Sequence, residues 1–175
     1  MAGIKLKSAD DLKLMRPAGW VAGKVLDEIA AFIKPGVTTR QIDNFAAERI
    51  KSYDGKSAFL GYRKFPCHTC LSVNDEVVHG IASERELKFG DIVSVDVGVV
   101  HKGFIGDTAR TVAVGGCGVA AQRLLDVTEQ SLYLGIAQAR PGNRVLDISL
   151  AVQRYVASNG FSVVREFVEI GRAHV

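Results

Sequence analysis

Residues 92–114 contain two strands and a turn, and they constrain the fold more than any other segment. Ile92-Val93-Ser94-Val95-Asp96-Val97-Gly98-Val99-Val100 is dominated by β-branched residues, the composition of a largely buried strand. His101-Lys102-Gly103 supplies a turn, and Phe104–Val114 resumes the strand pattern. Each strand carries a carboxylate, Asp96 and Asp107, eleven positions apart. An ionised carboxylate in a buried strand is costly by several kcal/mol unless it is paired or bound to a metal.

The turn decides whether the two carboxylates meet. If the loop is His101-Lys102, Asp96 sits opposite Asp107. If it is Lys102-Gly103, Asp96 sits opposite Ala109, with Asp107 its diagonal neighbour on the same face. Only a three-residue loop separates them onto opposite faces, because strand side chains alternate. On one face they lie roughly 5–8 Å apart at Cβ, where two anions repel unless one is protonated or a cation intervenes. The competing account has Asp107 capping a bend or pairing with Arg110, with Asp96 left half exposed.

The flanking sequence is helical. Ser8 opens a pattern of Leu12, Met15, Ala18, Ala22, Val25, Leu26, Ile29 and Ile33, with Asp11 as an imperfect capping-box partner. Pro17 falls inside it and is expected to kink the helix or delay its start. Lys34-Pro35-Gly36 ends it. Thr38 with Gln41 forms a capping box for a second helix, whose inner face and neighbouring edge are Ile42, Phe45, Ala46, Arg49 and Ile50 and which Tyr53-Asp54-Gly55 closes. Residues 56–70 are predicted as mostly loop, followed by strands at 69–74 and 76–80 around Asn74-Asp75. Later come helices over Gln122–Ala139 and Val145–Ser158, and a strand from Phe161 to Val168.

This order repeats. Lys34-Pro35-Gly36 and Arg140-Pro141-Gly142 are 106 residues apart, and at that offset Leu26 matches Leu132, Ile42 matches Ile148 and Ile50 matches Val156. Helix, Pro-Gly, helix, then strands occurs twice. The second copy stops as its strands begin, and the expectation is a chain lacking the end of its domain.

Composition excludes several classes. A net charge of +3 across 175 residues is too mild to argue for nucleic acid, and Lys and Arg are scattered, so no direct nucleic-acid site is evident. No stretch reaches the roughly 20 apolar residues of a membrane span, and the N-terminus has no signal-peptide pattern. Three cysteines, an odd count, fit a reducing cytoplasm.

Short motifs carry little. Gly116-Cys117-Gly118-Val119-Ala120-Ala121 fits a dinucleotide fingerprint, but no acidic residue stands about 20 positions on and a helix follows where a strand is required. Cys67-His68-Thr69-Cys70 lacks the second pair of a structural zinc site and leads into a strand, whereas a redox pair opens a helix. His79, ending Glu76-Val77-Val78-His79, is by itself more readily a hydrogen-bonded structural residue than a catalyst. His68, His101 and His174 fall in loop or terminal segments.

Longer motifs, taken in order, resemble type I methionine aminopeptidases of peptidase family M24. They are Lys34-Pro35-Gly36-Val37-Thr38-Thr39, Phe59-Leu60-Gly61-Tyr62, Ser72-Val73-Asn74-Asp75-Glu76-Val77-Val78-His79-Gly80-Ile81 and Gly90-Asp91-Ile92-Val93-Ser94-Val95-Asp96-Val97. Gly103-Phe104-Ile105-Gly106-Asp107-Thr108-Ala109-Arg110 and Phe161–Val168 complete the match. The resemblance implies an α/β pita-bread fold, two related halves around a dinuclear site, here with the N-terminal half complete and the second truncated after its helices. Its domain would be 1–168, with a first repeat over about 8–115 and a second over about 118–168.

The resemblance also implies roles. Asp96 would be a bidentate metal ligand and Asp107 a bridging one. His79 would hydrogen-bond the scissile amide and assist the leaving amine. Tyr62, Phe65 and Cys70 would wall the methionine pocket, while Phe59 stands where many relatives have Cys. Two divalent ions (Co, Mn, Fe or Zn) would activate water to remove the initiator methionine when the second residue is small. The implied setting is cytoplasmic and monomeric, acting on N-terminal Met peptides and nascent chains at the ribosome, with no membrane. After Val168 the family has Gly-His-Gly, with the histidine a ligand, and two glutamate ligands follow. Here Ile170 takes the histidine's place, and residues 169–175 read as the translation of a sequencing-library adapter, a non-native tail. The expectation is a fragment with weak metal binding and no aminopeptidase activity; the alternative is a pita-bread binding protein without catalysis.

Overall fold

A computed structural model describes residues 6–165; residues 169–175, with Ile170 and His174, lie outside the described residues. The chain forms two compact units, Met1–Cys117 and Gly118–Val175.

In the first unit, helix α1 spans Ala9–Phe32. The Ser8 hydroxyl accepts from the Asp11 amide at 3.1 Å and Asp11 accepts from the Ser8 amide at 2.8 Å, so the capping box is complete. Pro17 lies inside this helix, which starts at Ala9, so the proline does not delay its start. The buried stripe of Ala18, Val21, Ala22, Val25, Leu26 and Ile29 begins directly after it, and that packing offsets the hydrogen bond the proline removes. Leu12, before the proline, is exposed. Helix α2 spans Thr39–Ser52, capped reciprocally by Thr38 and Gln41.

Four strands follow: β1 Lys56–Ser57, β2 Thr69–Val73, β3 Ile92–His101 and β4 Phe104–Ala113. β3 pairs antiparallel with all the others. β4 takes one edge along its whole length, and β1 and β2 lie end to end on the other. Val93, Val95, Val97 and Val99 are fully buried in the core shared with α1 and α2, each contributing roughly 1.5–3 kcal/mol. His101 ends β3 and is buried, not in a loop as its position in the sequence implied.

The expected strand at 76–80 does not form. Val78 and His79 both have positive φ, 34° and 54°, which takes the backbone out of the β region. Two backbone bonds tie this segment to β2, from the Leu71 amide to the Gly80 carbonyl at 3.0 Å and from the Glu76 amide to the Val73 carbonyl at 3.2 Å. The loop is clasped at its base. Asp91 accepts from the Lys88 amide and the Asn74 side chain, and these bonds hold its carboxyl below the usual range.

The second unit is a pair of helices, α3 Val119–Ile136 and α4 Val145–Ser158. α3 begins three residues before the predicted start, at a Gly118 cap. The helices meet at Gly135, where an added Cβ would lie 2.9 Å from Val152 and 3.4 Å from Ile148. Residues 161–165, predicted as the start of a strand, are not in one, and 166–168 lie outside the described residues.

Gly106 lets α1 rest on β4: a Cβ there would sit 2.2 Å from the Ala18 carbonyl oxygen. Gly23, on α1, has nothing within 4 Å of its Cβ position. Gly106→Ala is therefore expected to destabilise the chain by about 1–3 kcal/mol, and Gly23→Ala to stabilise it by about 0.5–1 kcal/mol. Urea unfolding of both variants measures this; equal effects would contradict the packing described.

Candidate metal centre

The hairpin turn is Lys102-Gly103, with φ of 50° and 82°, the positive values that a type I′ turn requires. It fixes a register in which Asp96 faces Ala109 and Gly98 faces Asp107. Asp96 and Asp107 are therefore diagonal neighbours on one face of the sheet, the face turned away from the buried valines, with backbones about 7–8 Å apart. Asp96 is half-buried and Asp107 exposed, so neither bears the full desolvation cost of a buried anion. On the same face Ser94 and Thr111 share a hydrogen bond of 2.8 Å.

Across β2, Cys70 is the direct partner of Asp96. Its thiol is buried, and its pKa is pushed up to about 12, first by burial and then by the charges of Asp96, Cys67, Asp107 and Asp43. Both candidate ligands thus act electrostatically on one sulfur, which stays a neutral thiol. Cys67 is also buried, and burial raises its pKa.

Phe59 covers Gly98, the cross-strand partner of Asp107. It is 1% exposed, and a Cβ on Gly98 would fall 2.4 Å from its ring. Glycine is needed there for the phenyl ring to approach the strand this closely. Beneath, Asp43 on α2 is a buried carboxylate. One of its oxygens accepts from the His68 amide at 2.9 Å and from the Thr69 amide and hydroxyl at 2.8 Å each. Hydrogen bonds to a charged group contribute roughly 1.5–3 kcal/mol each, so Asp43 fastens the start of β2 immediately before Cys70. The sequence reading missed this residue; the available signal was a carboxylate within the buried stripe Thr39, Ile42, Ala46 and Ile50.

The remaining candidates lie on neighbouring segments. His79 is exposed on the looped segment, where the Gly80 amide donates to the Ser72 hydroxyl at 3.1 Å. Tyr62 is half-buried on the turn Tyr62–Lys64, and Phe65 packs against the main core. The register brings Asp96, Asp107 and Cys70 together; it does not include His79, Tyr62 or Phe65, which stand outside the paired strands. Two hard oxygen donors on an open face suit a divalent cation. Among the described residues, no group of three or more His, Cys, Asp or Glu side chains completes a metal site.

The raised Cys70 pKa has a sign. An unfolded thiol ionises near about 8.5, so the folded thiol contributes stability below that pH and loses it as pH rises toward about 12. Melting temperature is expected to fall above about pH 8.5, and Cys70→Ala to flatten the slope. Ellman's reagent at pH 8 should label Cys117, which is partly exposed, before Cys67 and Cys70; early labelling of Cys70 would contradict its burial.

Known proteins resemble this chain in sequence and in fold. The model of metallopeptidase family M24 matches residues 13–172. Methionine aminopeptidase of Clostridium perfringens is 44% identical over 168 residues, covering 96% of this chain and 68% of that protein. Methionine aminopeptidase 1 of Bacillus subtilis is 44% identical over 165 residues, covering 94% and 66%. Crystal structures of methionine aminopeptidases from Rickettsia prowazekii and Thermotoga maritima superpose with a TM-score of 0.92 at 39% and 38% identity, covering 94% and 95% of this chain and 66% and 67% of theirs. The chain thus spans about two thirds of its relatives' length and has the α/β pita-bread fold over that extent. By sequence and by structure, the chain belongs to metallopeptidase family M24.

Proposed function

We propose that this chain carries the first half of an aminopeptidase site that removes an initiator methionine followed by a small residue. The observation that carries this reading is the shared face of Asp96, Asp107 and Cys70, in a chain 44% identical to a methionine aminopeptidase. Asp96 and Asp107 hold divalent metal, two ions in the complete site, with Co, Mn, Fe and Zn all compatible with oxygen and imidazole donors. Bound there, metal supplies Lewis acidity and a water of lowered pKa.

The chain's own residues do the rest. Cys70, a buried thiol, offers the methionine side chain a soft apolar contact. Tyr62 and Phe65 complete the pocket. His79 hydrogen-bonds the scissile amide and assists the leaving amine, reaching it from the loop tied to β2 at Gly80. N-terminal Met peptides and nascent chains are the substrates, met in the cytoplasm near the ribosome by a monomer. Two carboxylates do not make a dinuclear site, so residues 1–168 alone bind metal weakly and do not turn over; 169–175 contribute nothing.

The test is release of methionine from Met-Gly-Met with Mn²⁺. The chain itself is expected to release none. Joined after Val168 to the C-terminal third of the Clostridium perfringens enzyme, it is expected to be active. In that hybrid, Asp96→Asn and Asp107→Asn should each lower kcat/KM by more than about 100-fold, beyond what outer-shell partners cost. Full activity of either variant, or robust turnover by the chain alone, would overturn the proposal. A folded hybrid that binds metal and peptide without cleaving would favour a binding protein.

A further inference from the structure

The segment after β2 begins as a regular hairpin and then departs from it. Asn74-Asp75 makes a two-residue turn, and the Glu76 amide donates to the Val73 carbonyl at 3.2 Å. Continued in that register, antiparallel pairing would set Ser72 against Val77, Leu71 against Val78 and Cys70 against His79. The Leu71 amide instead donates to the Gly80 carbonyl at 3.0 Å. The returning arm therefore holds two residues more than its pairing with β2 requires.

Gly80 admits this longer register. A Cβ on it would lie 2.6 Å from the Leu71 carbonyl carbon and 2.9 Å from the Ser72 Cα, backbone atoms that β2 holds in its pairing with β3. The Gly80 amide donates to the Ser72 hydroxyl at 3.1 Å. The surplus residues are taken up in strained backbone: Val78 and His79 have φ of 34° and 54°, and a β-branched residue at positive φ is a genuine outlier. Burial does not offset this, since Val77 and Val78 remain 54% and 39% exposed. Such strain persists only where neighbouring contacts over-determine it, and it gathers at functional sites. Here the contacts are Gly80 at one end and Glu76 at the other, whose carboxylate accepts from the Val73 amide at 2.9 Å and from Arg85 at 2.6 Å.

The register decides where His79 stands. In the regular one it would be the cross-strand partner of Cys70, on one face and in one row with Ala109, Asp96 and Cys70. Its ring would then lie against the thiol, on the wall given to the substrate methionine. In the longer register His79 leaves that row and is exposed at the bend. Taking the role of His79 proposed above as the premise, we propose that Gly80 is a positioning residue for it. Its missing side chain selects the register longer by two residues, and that register presents His79 to the scissile amide. Gly80 itself touches neither substrate nor metal and acts only through His79.

The test begins with the 175-residue chain itself. Nuclear Overhauser contacts are expected to show Leu71 beside Gly80 and no Hα–Hα contact between Cys70 and His79. Gly80→Ala should lose the first contact and gain the second, which a directly opposed pair without hydrogen bonds produces; Leu71–Gly80 pairing that survives in this variant would overturn the proposal. In the active hybrid described above, Gly80→Ala should lower kcat by about tenfold or more with KM little changed. Gly80→Ala/His79→Ala should be no slower than His79→Ala alone. Deleting Val77 and Val78 keeps Gly80 on Leu71, removes the strained bend and sets His79 against Ser72. That shortened protein is expected to melt no lower than the parent yet to be as slow as His79→Ala, and it decides the matter if Gly80→Ala does not fold. A shortened protein with parental kcat, or losses that add in the double variant, would overturn the proposal. A slow His79→Ala beside a fully active Gly80→Ala sinks the role of Gly80 alone, whereas a fully active His79→Ala sinks the role of His79 as well.

Discussion

The two-residue turn at Lys102-Gly103 is the constraint on which the site depends. Its positive φ values close the hairpin with His101 against Phe104. From there every rung is set: Asp107 against Gly98, Ala109 against Asp96, Thr111 against Ser94. A slip of one residue would turn each β3 side chain to the other face relative to its partners. Val93, Val95, Val97 and Val99 prevent that slip, because moving them outward would surrender the core they fill with α1 and α2. Burial on one face of β3 thus fixes the position of carboxylates on the other.

Close approaches stiffen this arrangement from both sides. Gly106 admits the backbone of α1 on the helix side, and Gly98 admits the Phe59 ring on the carboxylate side. Asp43 adds a third restraint by holding the first residues of β2, which puts Cys70 opposite Asp96. These contacts are short and specific, so the carboxylate pair is held by packing on the strands around it.

Much of this was legible in the sequence, for identifiable reasons. Alternation in Ile92–Val100 and the turn residues limited the hairpin to a few registers, and the structure selects the one with Lys102-Gly103 as the loop. Capping boxes at Ser8 and Thr38 gave both helix starts. The failures are as instructive. Pro17 does not delay the start of α1, which packs its buried stripe directly after the proline. The 76–80 segment has strand composition, yet Val78 and His79 take left-handed backbone. The burial of Asp43 and the pairing of Leu71 with Gly80 are products of chain folding and have no linear signature. In the repeat, Leu26 is 3% exposed beneath a sheet, while its sequence counterpart Leu132 is 55% exposed on α3, in a unit whose described residues hold no sheet.

The central claim is that Asp96 and Asp107 form one cation-binding face. Paramagnetic broadening by Mn²⁺ in the ¹⁵N spectrum of the chain tests it most directly, since it needs no catalysis. The account predicts selective loss of signals from residues around Asp96, Asp107 and Cys70, abolished in Asp96→Asn and in Asp107→Asn. Broadening centred elsewhere, or unchanged in both variants, would contradict it.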